Sequence, residues 1–246
     1  MTHNTQLMTE NEIQQLRTTL DGKGPRPILK AALENHQSIA LSFSGAEDVI
    51  LIDMAVKIRP DLEVFTIDTG RLHAETYQFI ETVRKHYDLK LTILSPDKIT
   101  LQALVHNKGL FSFYQDGHQE CCGIRKVDVL RDYLPGFDAW ITGQRKDQNL
   151  DTRTELAEVE IDNNFSSANH SLVKFNPVTN WSSQQVWDYI VAYQVPFNTL
   201  HTKGYRSIGC EPCTQPTHIG QHEREGRWWW ETSALKECGL HKKVTE

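Results

Sequence analysis

Short apolar runs alternate with longer amphipathic stretches along most of the chain, and the two periods predict different elements. Strands are predicted over 38–43, 64–67, 89–94 and 139–142, with a short hairpin or edge pair over 155–161 and 171–175. Helices are predicted over 9–20, from the turn at 44–45 to 58, and over 74–87, 124–133 and 182–193. This alternation predicts an α/β fold with a mostly parallel twisted sheet and helices on both faces.

Local signals mark where several elements begin and end. Thr9-x-x-Glu12 and Ser182-x-x-Gln185 have the spacing of capping boxes, and Pro60 ends the helix before it. The segment Asp21-Gly22-Lys23-Gly24-Pro25 is predicted to be a linker. Beyond residue 204 the periodicity fades, which predicts loop followed by a mobile tail.

Composition and charge narrow the class of protein. The chain has 246 residues and a formal net charge of −6, which argues against a partner that is nucleic acid or an anionic membrane. An anionic ligand therefore needs a local basic cluster. Residues 1–12 are polar and 49–56 is too short to span a bilayer, so we expect a cytoplasmic protein.

Three polar, glycine-bearing segments follow predicted strands, at 42–48, 67–73 and 142–148. Because the carboxyl ends of parallel strands meet at one edge of the sheet, we expect these segments to converge on one crevice. The first of them opens a helix, and helix N-termini bind phosphates through backbone N–H groups. Each segment taken alone is equally compatible with an ordinary capped turn.

Five cysteines supply the candidate metal chemistry. Cys121 and Cys122 are adjacent, Cys210 and Cys213 form a C-x-x-C, and Cys238 stands alone. In a reducing compartment paired cysteines bind metal more often than they form disulfides, and two pairs make one complete ligand set. Adjacent cysteines suit a tetrahedral zinc site poorly, so the spacing favours an iron–sulfur cluster while leaving zinc open.

Two further features lie near the carboxyl end. Cys238 has Lys236, Glu237 and His241 as neighbours, so we expect a reactive thiol and not an inert buried one. Arg224 and Arg227 are three residues apart, a spacing that on a helical turn forms an anion clamp. The alternative for this pair is a surface charge patch beside a packed tryptophan cluster.

Together these motifs resemble a known family. Ser44-Gly45-Ala46-Glu47-Asp48, Asp68-Thr69-Gly70-Arg71-Leu72-His73, Cys121-Cys122, Gly209-Cys210-Glu211-Pro212-Cys213 and Glu237-Cys238-Gly239-Leu240-His241 are similar to those of assimilatory adenosine 5′-phosphosulfate reductases of the bacterial iron–sulfur type. The resemblance covers about residues 25–243. It implies the adenine-nucleotide α-hydrolase-like, Rossmann-like fold of the phosphosulfate reductase family.

The resemblance also implies a mechanism. Cys121, Cys122, Cys210 and Cys213 would hold one 4Fe-4S cluster. Cys238 would attack the sulfur of adenosine 5′-phosphosulfate, releasing AMP and leaving a cysteine S-sulfonate. Thioredoxin or glutaredoxin would then release sulfite, in sulfate assimilation and cysteine biosynthesis. A structural and electrostatic role is expected for the cluster.

The resemblance assigns the substrate-binding residues as well. Lys126 would lie between cluster and substrate, and Arg224, Arg227 and His241 would contact the phosphosulfate. The nucleotide pocket would be lined by Ser42, Ser44, Gly45, Thr69, Arg71, Gly143 and Arg145. We therefore expect an N-terminal helix and linker over 1–24, a nucleotide-binding domain over 25–209 and, over 210–246, a C-terminal segment that carries cluster ligands, arginine clamp and catalytic cysteine.

Two departures from related patterns bear on the alternatives. An ATP-pyrophosphatase loop reads S-G-G-x-D-S, whereas here Ala46 replaces the second glycine and Glu47 adds a negative charge, which disfavours ATP hydrolysis. Asn149 stands where this family is expected to have serine. The rival functions are a tRNA thiolase, a redox sensor and a reductase of the 3′-phosphorylated nucleotide. The sequence does not determine the oligomeric state and is compatible with a homo-oligomer.

Overall fold

A computed structural model of the chain describes residues 8–149 and 152–232. Within these ranges the strands form one six-stranded sheet in the order β3-β2-β1-β4-β6-β5. The strands are β1 (Ile39–Ser42), β2 (Glu63–Ile67), β3 (Leu91–Leu94), β4 (Ala139–Ile141), β5 (Val159–Ile161) and β6 (Val173–Phe175). All pairs are parallel except β5 with β6, so both the mostly parallel sheet and the predicted edge pair are confirmed.

The central strands are buried on both faces, as their nearly continuous apolar sequences indicate. Leu41 in β1 pairs with Val64 in β2 and with Ile141 in β4, and none of the three is exposed. Because these neighbouring strands run in the same direction, their carboxyl ends lie side by side at one edge.

Helices cover the two faces of the sheet. They are α1 (Glu10–Leu20), α2 (Pro25–Asn35), α3 (Ala46–Ala55), α4 (Ala74–His86), α5 (Lys98–Lys108), α6 (Phe113–Asp116), α7 (Gln119–Cys122), α8 (Asp128–Tyr133) and α9 (Ser183–Tyr193). Both predicted capping boxes are present, at the start of α1 and of α9. None of the described helices is both long and apolar enough to cross a membrane.

Two longer helices are not predicted by the sequence pattern. Helix α2 starts at Pro25, which the prediction places in a linker. Proline is well suited to the first turn of a helix, because its missing N–H has no intrahelical partner there, so the same residue is compatible with either assignment. Helix α5 buries only Leu104 and therefore shows little amphipathic pattern.

The region predicted as one helix over 124–133 is helical but irregular. A five-residue π-helical turn, Gly123–Val127, connects α7 to α8. Such turns are rare in proteins overall, and those that occur often lie at functional sites. Here the turn directly follows the cysteine pair and carries Lys126.

The C-terminal segment is irregular, as predicted, throughout its described part. After residue 204 that part contains the 3₁₀ turn Glu211–Cys213 and an isolated bridge between Thr214 and Arg227. The expected mobile tail lies in 233–246, outside the described residues.

Candidate active site

The carboxyl ends of β1, β2 and β4 open into a single crevice, which we call the main crevice. Each of the three predicted strand-end segments contributes to its lining, together with the C-terminal segment. The predicted residues that line it are Ser42, Ser44, Gly45, Thr69, Lys126, Gly143, Arg224 and Arg227. The topology therefore brings together residues that lie as far apart in sequence as 42 and 227.

The turn at 44–48 is organised around the carboxylate of Asp48. Its Oδ2 accepts hydrogen bonds from the Ser44 N–H and hydroxyl, both at 2.8 Å, and from the Gly45 N–H at 3.0 Å. Its Oδ1 accepts the Gly143 N–H at 2.9 Å. Burial raises the pKa of Asp48 to about 6, although the donors from Ser44 oppose the shift. The carboxylate thus fastens the turn to the end of β4.

Glycine is required at position 143 because of this packing. A Cβ atom there would lie 2.5 Å from Oδ1 of Asp48 and 2.7 Å from Cβ of Glu47. Any side chain at this position would separate the turn from β4.

The C-terminal segment places two arginines at the crevice. The Arg227 guanidinium lies 4.5 Å from the centroid of the Trp228 ring, and that of Arg224 lies 5.7 Å from the same ring. Arg227 also donates to the backbone oxygen of Ile208 at 3.3 Å. A Cβ atom on Gly209 would lie 2.3 Å from Nη2 of Arg227, so a larger residue here would force the guanidinium to move. Two cations on one wall suit an anionic ligand.

A second, smaller cavity adjoins the main crevice, and we call it the cysteine cavity. It is lined by Cys121, Cys122, Cys210 and Cys213. All four are free thiols, and all but Cys121 are buried. Residues more than 85 positions apart in the chain therefore supply sulfur to one cavity.

Cations surround this cavity. Arg71, Arg125 and Lys126 line it, and Arg227 contributes to the field at Cys210. Burial alone raises the pKa of the Cys210 thiol. Lys126, the Thr69 hydroxyl, Arg227 and Arg125 together outweigh this effect, so the pKa falls below its ordinary value.

Cys213 responds in the opposite direction. Burial, followed by the charge of Cys210, raises the pKa of Cys213 to about 12. Two thiols in one cavity therefore repel each other as thiolates unless positive charge is placed between them.

The donor set of the cysteine cavity fits an iron–sulfur cluster. Four sulfurs face one space, and the cations around it suit the negative charge of a cluster with four thiolates. Among the described residues, no three His, Cys, Asp or Glu side chains are grouped to hold one metal ion. A cluster distributes its four ligands over separate iron atoms and needs a wider arrangement than a single ion does.

With this geometry established, comparison with known proteins identifies the family. Residues 38–216 match the phosphoadenosine phosphosulfate reductase domain family. The chain belongs to this family. The predicted membership is therefore confirmed.

Three similar proteins show how far the likeness extends. The chain is 54% identical over 231 residues to an adenosine 5′-phosphosulfate reductase of Pseudomonas aeruginosa, covering 94% of this chain and 86% of that protein. It is 53% identical over 235 residues to 5′-adenylylsulfate reductase 3, chloroplastic, of Arabidopsis thaliana, covering 94% of this chain but only 51% of the plant protein. The phosphate complex of a phosphoadenylyl-sulfate reductase from Candida auris superimposes with a TM-score of 0.71 at 26% identity, covering 85% of this chain and 98% of that one.

Two residues predicted to line the nucleotide pocket lie elsewhere in this member of the phosphosulfate reductase family. Arg71 borders the cysteine cavity, where its guanidinium lies 5.5 Å and 5.1 Å from the ring centroids of Phe111 and Phe113. Arg145 is 0% exposed and binds Glu47 and Glu223. Thr69 lines the crevice as predicted, but its hydroxyl lies 3.2 Å from Sγ of Cys210.

Sequence reasoning also missed residues that the crevice contains. Arg153 and Arg206 line it, and so does Gln144, which is only 4% exposed. Neither polar atom of the Gln144 side-chain amide has a hydrogen-bond partner among the described residues. Buried polar groups are normally satisfied, so this amide is suited to a ligand atom. Its position directly after β4 was the available signal.

Cys238 and His241 lie outside the described residues. The last described residue is 232. The neighbouring Glu231 accepts a hydrogen bond from the backbone N–H of His118 at 2.9 Å. His118 itself lines the cysteine cavity.

Proposed function

We propose that this protein reduces adenosine 5′-phosphosulfate to sulfite and AMP in sulfate assimilation, with a thioredoxin-type dithiol as the reductant. The observation that carries the proposal is the shared wall between the main crevice and the cysteine cavity, since Lys126 and Cys210 line both. The name of the 54% identical bacterial relative supports the same substrate.

The crevice has the chemistry that a sulfated nucleotide needs. Lys126, Arg224 and Arg227 supply cations for the phosphosulfate, and Phe65, Ile67 and Trp140 supply apolar surface for the base. The N–H groups of Ser44 and Gly45 are bound to Asp48. The turn is therefore a poorer cradle for a triphosphate than a glycine-rich loop with free N–H groups, which favours sulfonucleotide over ATP chemistry.

In the proposed first step, the Cys238 thiolate attacks the sulfur of the phosphosulfate. A bond forms between Sγ and that sulfur, the bond from sulfur to the bridging oxygen breaks, and its electron pair leaves with AMP. Arg224, Arg227 and Lys126 stabilise the charge that develops on the phosphate and sulfate oxygens. The product on the enzyme is a cysteine S-sulfonate.

In the second step, a thiolate of the dithiol attacks Sγ of Cys238 and expels sulfite. The second thiol of the reductant then resolves the mixed disulfide and regenerates Cys238. Both electrons come from the dithiol, which ends as a disulfide. An iron–sulfur cluster held by Cys121, Cys122, Cys210 and Cys213 would add its charge beside the crevice and join the C-terminal segment to α7.

The proposed function is tested by sulfite release. The purified protein is assayed with adenosine 5′-phosphosulfate and with its 3′-phosphorylated counterpart, each with and without thioredoxin. We expect turnover with the first nucleotide and thioredoxin, and no sulfite without the reductant. Equal or faster turnover of the 3′-phosphorylated nucleotide would identify that nucleotide as the substrate instead. Absence of sulfite with both nucleotides would reject the proposal.

Arg224→Ala is expected to lower kcat/KM for sulfite release by roughly 100- to 1,000-fold. A donor aimed at developing charge in a site shielded from water contributes about 3–4 kcal/mol to catalysis. Lys30→Ala is the control, because Lys30 is a 65% exposed surface cation paired with Glu34. If Arg224→Ala lowers kcat/KM no more than Lys30→Ala does, Arg224 is not part of the anion-binding site.

A further inference from the structure

A buried arginine joins two parts of the main crevice that are far apart in sequence. Arg145 donates to Oε1 of Glu47 from Nε at 3.1 Å and from Nη2 at 3.0 Å. The same Nη2 donates to both carboxylate oxygens of Glu223, at 2.8 Å and 2.9 Å. Its Nη1 donates to Asp147 at 3.3 Å and to the backbone oxygen of Trp181 at 3.4 Å. All three nitrogens of the guanidinium are thus engaged inside the protein.

The partners of Arg145 come from the two walls that an anionic ligand would meet. Glu47 belongs to the turn at 44–48, and Glu223 directly precedes Arg224 in the C-terminal segment. We call the linked set of Glu47, Arg145 and Glu223 the arginine clasp. Two other bonds reinforce it: Gln148 Nε2 donates to Glu47 at 3.0 Å, and a His222 ring nitrogen lies 3.0 Å from the backbone oxygen of Asp147.

Burial makes the arginine clasp sensitive to the loss of any member. Arg145 is fully buried, whereas the side chains of Glu223 and Glu47 are 13% and 20% exposed. Removing one partner of a buried ion pair leaves the remaining charge poorly solvated. Glu47, which is an unfavourable charge in an anion-binding turn, is offset here by Arg145.

We propose that the arginine clasp holds Arg224 in register with the turn at 44–48. Glu223 lines the main crevice beside Arg224, whereas Arg145 is buried and does not line it. Both are positioning residues that act on the phosphosulfate through Arg224. The inference rests on the proposed function, because the ligand that Arg224 meets is the sulfonucleotide. It gives Arg145 a role different from the one expected from its sequence motif.

The test is a double-mutant cycle between Glu223 and Arg224. Glu223→Gln keeps the shape of the side chain and removes its charge, and Arg224→Ala removes the cation that the clasp positions. Binding of adenosine 5′-phosphosulfate is measured by calorimetry with all variants in a Cys238→Ser background, so that no turnover occurs. The kcat and KM values for sulfite release are then measured with Cys238 present.

Glu223→Gln is expected to weaken binding about 10-fold when Arg224 is present, and less than about 2-fold when Arg224 is already alanine. The kinetic loss is expected mainly in KM. Equal losses in both backgrounds would overturn the inference, because Glu223 would then touch the ligand itself or act through general stability. Absence of binding by the parent protein would instead reject the proposed function.

Two further variants keep the result interpretable. Arg145→Lys cannot span two carboxylates with a planar fork, so it is expected to reproduce the Arg224-dependent loss seen with Glu223→Gln. Glu75→Gln is the matched control, since it removes a carboxylate from a surface pair with Lys203 at 2.7 Å and is expected to leave binding unchanged. A loss of binding in Glu75→Gln as large as in Glu223→Gln would also overturn the inference.

Discussion

The Cys238→Ser variant is expected to release no sulfite while it retains the iron content and visible absorbance of the unaltered protein. A serine hydroxyl is not ionised near neutral pH, so it cannot replace a thiolate as the nucleophile. The four cysteines that line the cysteine cavity are unaltered by this change. Sulfite release and metal content of the same preparation are the measurements.

A direct observation of the intermediate completes this test. When the unaltered protein is mixed with adenosine 5′-phosphosulfate and no reductant, mass spectrometry is expected to find one sulfonate on the peptide that contains Cys238. The serine variant provides the control, since its peptide is expected to stay unmodified. Sulfite turnover by Cys238→Ser, or sulfonation at another residue, would contradict the nucleophile assignment.

The Cys122→Ser variant is expected to lose both the iron chromophore and the activity. Cys122 is buried on α7 and packs with Cys210, Cys213 and Trp228. A serine hydroxyl is a poor replacement for a thiolate as an iron ligand. Losing this ligand would also release α7 from the segment that carries Arg227. Iron and acid-labile sulfide are measured after anaerobic purification.

Cys238→Ser is the matched control for this second prediction, because it removes a sulfur that is not expected to be a ligand. The two variants should therefore differ in iron content: both are expected to be inactive, but Cys238→Ser retains iron and Cys122→Ser does not. Retention of full iron by Cys122→Ser would contradict the proposed ligand set. Zinc in place of iron in the unaltered protein would favour the alternative that the cysteine spacing leaves open.

Much of the fold follows from local sequence pattern. The strands β1, β2 and β4 are short and apolar and alternate along the chain with helical segments, which is enough to predict a parallel sheet. The parallel sheet in turn predicts that the three segments after these strands share a crevice, as they do. Helix α2 was missed because Pro25 indicates a linker and a helix start equally well.

Side-chain partners could not be predicted in this way, as three of the arginines near the crevice show. Arg145 and Arg153 lie eight residues apart in one polar segment, yet Arg153 faces the crevice and Arg145 is enclosed by Glu47 and Glu223. Arg71 lies beside Phe111 and Phe113, roughly 40 residues further along the chain. No local pattern encodes which carboxylate or ring a long, flexible cation will reach.

The sequence by itself determined the α/β class, the quartet of cysteines, the solitary Cys238 and membership of the phosphosulfate reductase family, because each is written in residues that are adjacent or periodic in the chain. Only the tertiary structure decided that the cysteine cavity shares a wall with the main crevice and that Arg145 is part of a clasp. It also decided that the Gln144 amide lines the crevice without a hydrogen-bond partner in the described part of the chain. These facts depend on contacts between residues tens of positions apart. Such contacts are fixed by how the whole chain packs, and no short segment carries them.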